Sequence, residues 1–238
     1  MSDMSKKVRE ALDVAVEAIG GAPREGQIEM AEAVANALTD RHHLMVQAGT
    51  GTGKSLAYLI PGIVHGRKVL VATATLALQR QLVDRDLPAV VPALEKLLGR
   101  EVTYAIYKGV GNYVCLQKMN SDDVDPDGEL VMEVSSLEKD AKRLIAWAKT
   151  PGVSGDRDDA PEVDRRVWAA NSVSGRECVG ADVCAFGSQC FAAKAKGKAQ
   201  TADVVVTNHT LLAIEIMDLH PILPERDCII LDEAHEFM

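Results

Sequence analysis

The sequence contains few aromatic residues and no long apolar run. Phe, Trp and Tyr make up 4% of its 238 residues, so no aromatic platform for stacking bases stands out. No apolar run approaches the roughly 18 residues that indicate a transmembrane helix, and the N-terminus lacks the apolar core of a signal peptide. These absences predict a soluble, cytoplasmic protein without a membrane partner, in which cysteines stay reduced.

An excess of basic residues is also absent, since the formal net charge is −9. The acidic residues are concentrated in one segment, because residues 120–165 contain thirteen Asp and Glu against six Lys and Arg. The net charge of the whole chain therefore does not exclude a nucleic-acid partner.

A glycine-rich motif stands out near the N-terminus, where residues 44–55 read LMVQAGTGTGKS. The apolar run at 44–47 predicts a strand, the glycines predict a tight loop, and Lys54 opens a helical pattern. This order, with Gly-Lys-Ser at its end, indicates a phosphate-binding loop. The residues predicted to bind nucleotide are Ala48, Gly49, Thr50, Gly51, Thr52, Gly53, Lys54 and Ser55, with Ala48 where the strict motif has a glycine.

Each part of this loop has a role in holding phosphate. The glycines leave room for successive backbone N–H groups to turn toward phosphate oxygens, and the following helix presents the positive end of its dipole. Lys54 can reach the terminal phosphates, and the Ser55 hydroxyl can ligate Mg²⁺. The motif therefore predicts a site for ATP with Mg²⁺.

Short apolar runs alternate with helical patterns along much of the chain. Strands are predicted at 68–73, 102–107, 203–207 and 228–231, and helices at 6–19, 27–38, 54–65, 75–83, 94–98 and from 210 onward. This alternation indicates an α/β protein with a doubly wound parallel sheet. The pattern changes between 108 and 200. We therefore expect the sheet to be formed by 1–107 and 201–238, with an inserted domain at 108–200.

The last predicted strand ends in Asp232-Glu233-Ala234-His235. A carboxylate at the C-terminal end of a parallel strand faces the crevice where such sheets bind ligands. Asp232 can hold hydrated Mg²⁺ opposite Ser55, and Glu233 can position or deprotonate the water that attacks the γ-phosphate. Lys54, Asp232 and Glu233 are thus the predicted catalytic residues. His235 either relays the nucleotide state or only bonds a neighbouring carbonyl.

The order of motifs resembles that of the DinG and XPD-like helicases, superfamily 2 enzymes with an iron–sulfur domain inserted in the first motor lobe. The phosphate-binding loop is followed by Ala-Thr-Ala-Thr at 72–75, by cysteines, by Thr-Asn-His at 207–209 and by Asp-Glu-Ala-His. The resemblance implies a RecA-like lobe from a nucleoid-associated enzyme of DNA repair or replication. It further implies that ATP hydrolysis drives 5′–3′ translocation on single-stranded DNA.

The resemblance also implies roles for single residues outside the two nucleotide motifs. Gln27 matches the glutamine that reads adenine, and Thr75 and Gln79 would lie near the path of the DNA backbone. Val110 stands where a basic residue is common, which leaves Lys108 as the nearby positive charge expected to face DNA.

Four of the five cysteines form a candidate metal site. The resemblance implies that a [4Fe–4S] cluster is held by Cys115, Cys178, Cys184 and Cys190. Taken alone, four thiolates suit either tetrahedral zinc or an iron–sulfur cubane. The spacing favours the cluster, because structural zinc usually has ligand pairs separated by two to four residues, whereas both short gaps here contain five. Cys228 lies in an apolar strand and is predicted to belong to the core.

Two further functions are open from the sequence: a non-motor module that binds ATP and DNA, and a P-loop ATPase with a zinc-stabilised insertion. The expected partners are single-stranded or 5′-tailed DNA and a second RecA-like lobe, which the resemblance implies would supply an arginine toward the γ-phosphate. The last motif ends three residues before Met238, so we expect the chain to be the N-terminal part of a longer helicase. The DNA partner is implied by the resemblance alone.

Overall fold

The computed structural model describes residues 3–49, 51–120, 131–218 and 221–237. The helices in these ranges are α1 (Asp3–Ala18), α2 (Glu25–Asp40), α3 (Lys54–Val64), α4 (Leu76–Arg80), α5 (Leu87–Leu98), α6 (Leu116–Met119), α7 (Val131–Ala148), α8 (Arg165–Ala170), α9 (Phe191–Thr201) and α10 (His209–Asp218). The strands are β1 (Val69–Thr73), β2 (Tyr104–Ile106), β3 (Val204–Asn208) and β4 (Cys228–Leu231).

The four strands form one parallel sheet in the order β2-β3-β1-β4. The register places Val71 of β1 opposite Val206 of β3 and Ile230 of β4. Because all strands run in the same direction, the residues that follow β1, β3 and β4 lie along one edge, where α/β sheets bind ligands. The predicted parallel α/β sheet is confirmed.

Both faces of the sheet are covered, which explains why β1 is an uninterrupted apolar run. Val69 and Val71 pack against a cluster that includes Leu12 of α1 and Leu59 of α3. Leu70 and Ala72 point to the other face, into a second cluster that includes Leu212 of α10. Alternate residues of β1 therefore pack against helices on opposite faces of the sheet.

The prediction of a strand at 44–47 is wrong. Residues 42–49 adopt no regular structure, and Met45 is 97% exposed while Leu44 and Val46 are each 41% exposed. A strand requires a neighbour that pairs with its backbone N–H and C=O groups, and none of the strands in the described ranges pairs with this segment. The loop at 48–53 therefore leads into α3 without a strand before it.

The helices predicted at 75–83 and 94–98 belong to one longer helical run. Gln81–Asp86 forms a π-helical turn that joins α4 to α5. Pro88 lies in the first turn of α5, directly after the π-helical turn, and Pro92 lies inside α5. Neither proline therefore ends the helical run.

The chain forms two compact units, Met1–Tyr107 with Lys198–Met238, and Lys108–Gly197. The first unit contains the sheet. The second has a small core that includes Val114, Leu144 and Trp168, and the Trp168 indole N–H donates to the carbonyl oxygen of Gly111 at 3.0 Å. Within the described ranges, no helix combines the length and apolar character needed to cross a membrane.

Candidate nucleotide-binding site

The loop before α3 depends on two glycines. Gly51 and Gly53 have φ angles of 73° and 81°, in the left-handed region that glycine enters at little cost. Gly53 also has a neighbour that excludes a side chain, because a Cβ atom there would lie 2.3 Å from Gln27 Nε2. The loop conformation therefore requires glycine at this position for two independent reasons.

Helix α2 holds the loop through polar side chains near its start. The Gln27 amide donates to the carbonyl oxygen of Gly53 at 3.0 Å, and the Arg24 guanidinium donates to that of Gly51. Gln27 is buried. In this structure Gln27 thus fixes the end of the loop, in addition to the adenine-reading role that the family resemblance implies.

The remaining loop residues are placed as follows. Thr52 Oγ1 donates to the carbonyl oxygen of Gly49 at 2.8 Å and closes the turn. Ala48 is half-buried and Gly49 is exposed, whereas Thr50 lies outside the described residues. Ser55 is half-buried in the first turn of α3.

The structure brings the loop lysine to the carboxylate that follows β4. Lys54 Nζ lies 2.7 Å from Glu233 Oε1, although 179 residues separate them in sequence. The hydrogen bond and charge of Lys54 lower the pKa of the Glu233 carboxyl below its ordinary value. Glu233 is therefore ionised at neutral pH and offsets the positive charge of Lys54.

Asp232 lies beside this pair and is held at both carboxylate oxygens. Its Oδ1 accepts the backbone N–H of Glu233 at 3.1 Å, and its Oδ2 accepts the hydroxyl of Tyr58 at 3.1 Å. Tyr58 is buried. Burial, followed by the negative charge of Asp232, raises the pKa of Tyr58 well above its ordinary value, so the hydroxyl keeps its proton.

His209 fixes the backbone at the same edge of the sheet. Its Nε2 lies 3.1 Å from the carbonyl oxygen of Ala72 and 3.0 Å from that of Asp232. A protonated Nε2 can donate to either oxygen, which ties the end of β1 to the residue after β4. The ring of Phe237 packs edge-on against His209, with the ring centroids 5.2 Å apart.

Glu233 has an unusual backbone conformation, with φ 52° and ψ 48°. Residues other than glycine rarely adopt this left-handed conformation, which costs roughly 1–2 kcal/mol. Strain of this kind persists only where the surroundings enforce it, and it clusters at functional sites. Here it turns the chain directly after β4, so that Asp232 and Glu233 both face the loop.

His235 is largely exposed, and its two ring nitrogens each lie near a carboxylate. Its Nδ1 lies 3.6 Å from Glu233 Oε2, and its Nε2 lies 3.4 Å from Glu236 Oε1. Of the two roles considered for His235, neither a relay nor a carbonyl contact is supported by these neighbours.

The residues expected to face DNA are not all accessible. Thr75 is exposed, and its hydroxyl caps α4 by accepting the N–H of Leu78 at 3.2 Å. Gln79 is fully buried, and within the described residues its side-chain amide has no hydrogen-bond partner. Gln79 therefore cannot contact DNA from this position, because the helix turns its side chain into the protein.

Lys108 is also buried, and the prediction that it faces DNA is wrong. Its ammonium lies 2.6 Å from Asp156 Oδ2 and 2.8 Å from Asp158 Oδ2, with 3% of its side chain exposed. A buried ammonium requires such partners to offset its loss of hydration. Lys108 stabilises the Lys108–Gly197 unit internally.

The four candidate cluster cysteines line a single cavity within that unit: Cys115, Cys178, Cys184 and Cys190. All four are half-buried, and none of the five cysteines forms a disulfide. The Cys184 thiol donates to Gln117 Oε1 at 3.3 Å. Across the described ranges, no three His, Cys, Asp or Glu side chains are gathered closely enough to hold a metal ion. The thiols thus share a cavity without forming a ready coordination site.

Comparison with known proteins agrees with this geometry. Residues 27–109 match the family of DEAD/DEAH box helicases. The chain is 51% identical to the ATP-dependent helicase DinG of Mycobacterium tuberculosis over 98% of its own length and 37% of the relative's. It is 38% identical to the ATP-dependent DNA helicase YoaA of Escherichia coli, over 91% of its own length and 34% of the relative's.

The chain is thus similar to DinG-type helicases along most of its length, and its residues 27–109 match the DEAD/DEAH box helicase family. It is also 31% identical to a Bacillus subtilis protein named 3′-5′ exonuclease DinG, over 90% of the chain and 22% of that relative. The chain therefore spans between 22% and 37% of the length of these curated relatives.

Two residues of this site were missed by sequence reasoning. Tyr58 is three residues after Ser55 and four after Lys54, which places all three on one side of α3. That spacing could have identified it. His209 lies in the Thr-Asn-His sequence that supported the family resemblance, but only the folded sheet shows that its ring reaches the end of β1.

Proposed function

We propose that this chain is the ATP-binding part of an ATP-dependent DNA helicase, in which ATP hydrolysis drives 5′–3′ movement on single-stranded DNA. The helicase domain and the names of the relatives support this proposal. DNA is the proposed partner because YoaA is named a DNA helicase.

A single observation carries the nucleotide assignment: the pairing of Lys54 with Glu233 at 2.7 Å. The pair lies where the start of α3 meets the carboxyl edge of the sheet, beside the glycine loop. An ion pair with a 22% exposed lysine and a 28% exposed glutamate contributes little to stability at such a surface. Its position is better explained by chemistry on a bound phosphate.

In the proposed mechanism, Lys54 exchanges its contact with Glu233 for a contact with phosphate. When ATP binds, its phosphates accept the loop N–H groups and the Lys54 ammonium, which releases Glu233. The freed carboxylate then orients water for attack on the γ-phosphate and accepts its proton.

The residues present fit Mg²⁺, which prefers oxygen ligands. The Ser55 hydroxyl and the Asp232 carboxylate would hold it, directly or through water. The Asp232 carboxylate is already oriented by two hydrogen bonds. Bound Mg²⁺ neutralises the charge that develops on the transferred phosphoryl group.

The cysteine cavity is the proposed site of a [4Fe–4S] cluster. Four thiols lining one cavity are a soft donor set that suits iron–sulfur clusters or zinc. The cluster would cross-link a unit whose apolar core is small, so we propose a structural role. The cysteines would move closer together upon binding, since they do not form a ready site now.

Metal analysis separates the cluster from zinc. Protein purified without oxygen should be brown and contain about four iron and four sulfide per chain. Cys184→Ser should remove the colour, whereas Cys228→Ser, a change in β4, should keep it. Stoichiometric zinc in a colourless anaerobic sample would instead support the ATPase with a zinc-stabilised insertion.

Single-turnover hydrolysis of radiolabelled ATP tests the helicase proposal, with and without single-stranded DNA. Glu233→Gln should bind ATP but hydrolyse it about 10²–10⁴-fold more slowly, the usual effect of removing a general base. The matched control is Glu236→Gln, an exposed glutamate three residues further on, which should leave hydrolysis unchanged. Full turnover by Glu233→Gln would contradict the mechanism. ATP and DNA binding without any hydrolysis by the native chain would support the non-motor module.

A further inference from the structure

Tyr58 occupies a position that none of the proposed catalytic roles uses. It lies in the second turn of α3 with 3% of its surface exposed, and its hydroxyl donates to Asp232 Oδ2 at 3.1 Å. One buried hydroxyl group therefore holds a carboxylate that is assigned to Mg²⁺.

The position of Tyr58 on α3 explains this contact. Side chains three or four residues apart lie on the same face of a helix, so Tyr58 shares a face with Lys54 and Ser55. The ring belongs to the same buried cluster as Leu12 and Ala31 and cannot swing away without opening the core. The hydroxyl position is therefore set by the fold and does not depend on a flexible side chain.

The hydroxyl also decides which way the Asp232 carboxylate turns. The Glu233 N–H binds Oδ1 and Tyr58 binds Oδ2, so the plane of the carboxylate is fixed at both ends. Groups of this kind, which orient a ligand without touching the metal, commonly change metal affinity by about 10–100-fold when removed.

We propose that Tyr58 is a positioning residue, which uses its hydroxyl to hold Asp232 in the orientation that binds Mg²⁺ with ATP. This inference rests on the proposed function, because it takes the Mg²⁺ role of Asp232 from it.

The test is a Mg²⁺ titration of the equilibrium binding of a fluorescent ATP analogue to the full chain. Tyr58→Phe keeps the ring and removes only the hydroxyl. It should raise the Mg²⁺ concentration for half-maximal binding about tenfold or more, while binding measured without Mg²⁺ stays at the native level. The matched control is Tyr107→Phe, which removes a hydroxyl that donates to the Ile222 carbonyl oxygen at 2.9 Å in the same unit. It should leave the titration unchanged.

A second variant keeps the test decisive if the hydroxyl also contributes to folding. In an Asp232→Asn background, Tyr58→Phe should add no further Mg²⁺ requirement, because the carboxylate it orients is already gone. Equal Mg²⁺ requirements for the native chain and Tyr58→Phe would overturn the inference alone. So would an equal loss of binding with and without Mg²⁺, or additive effects of the two substitutions. A native chain that binds no nucleotide at any Mg²⁺ concentration would overturn the proposed function itself.

Discussion

At the scale of single residues, the site combines strain with tight hydrogen bonding. Glu233 holds a left-handed backbone, and its neighbour Asp232 is fixed through both its side chain and its carbonyl oxygen. The strain and the fixed groups act together, because the turn at Glu233 brings both carboxylates to the loop. The energy stored in the backbone is offset by the contacts of Tyr58 and His209.

The conformation of Gly53 leads to a prediction about stability and ATP binding. Gly53→Ala should destabilise the chain by about 1–3 kcal/mol, because it places a side chain at φ 81° and against the Gln27 amide. It should also weaken ATP binding, since the loop must shift. Urea unfolding and ATP titration check both effects.

The control for this prediction is Gly26→Ala. Gly26 lies in α2, and a Cβ atom added there would have no neighbour within 4 Å. Alanine at this position should therefore be neutral or stabilising by up to about 1 kcal/mol. Equal stabilities for the two alanine variants would show that the loop does not need glycine at position 53.

Cys228 gives a prediction about pH. Burial, followed by the charge of Asp227, raises the pKa of its thiol from 9.0 to about 11. Only the thiolate reacts with iodoacetamide, so at pH 8 alkylation in the native chain should be about 100-fold slower than for an ordinary thiol. The rate should rise about tenfold per pH unit until the pH nears the thiol's pKa.

Mass spectrometry after timed alkylation measures this rate, with the urea-unfolded chain as the reference. Equal rates for Cys228 in the native and the unfolded chain would contradict its burial in β4.

At the scale of secondary structure, the parallel sheet could be predicted from the alternation of apolar runs and helical patterns. The absence of a strand at 44–47 and the way in which Lys54 meets Glu233 could not. The apolar run at 44–47 has the composition of a strand, yet pairing depends on a neighbour that no local pattern supplies. The expectation that Lys54 and Glu233 share one site relied on that strand. In the structure the two residues meet because α3 begins at Lys54 and the chain turns sharply at Glu233.

The burial of Lys108 also could not be predicted from local sequence. A lysine in a turn-rich segment is normally exposed, and nothing near it in sequence indicates burial. Its partners Asp156 and Asp158 are about fifty residues away. The buried position becomes visible only once the loop at 150–160 folds back onto the segment that leads to Cys115.

The ion pairs of Lys108 with Asp156 and Asp158 lead to a prediction about the stability of the Lys108–Gly197 unit. Lys108→Met should destabilise it by about 3–5 kcal/mol, because it leaves the Asp156 carboxylate buried without its cation. Lys118→Met is the control, since Lys118 pairs at 3.7 Å with Glu177 on the surface and should cost at most about 1 kcal/mol. Urea unfolding, followed by the fluorescence of Trp168 with Trp147 replaced by Phe, reports on this unit. Similar losses for the two variants would contradict the buried network.

At the scale of the whole molecule, each of the two units has its own core and its own candidate site. The sheet unit contains the loop, the carboxylates and Tyr58, and the Lys108–Gly197 unit contains the cysteine cavity. Nucleotide binding and cluster binding can therefore be tested separately. Cys184→Ser, which should remove the proposed cluster, should leave ATP binding in the sheet unit unchanged.

The central claim is that the loop at 48–55 binds ATP through Lys54, and isothermal titration calorimetry with Mg-ATP tests it most directly. The native chain should bind, and Lys54→Ala should weaken binding by about 10–100-fold, the usual cost of losing a hydrogen bond to a charged group. Lys96→Ala, which removes an exposed lysine on α5 of the same unit, should bind as the native chain does. Indistinguishable binding by the native chain and Lys54→Ala would contradict the account.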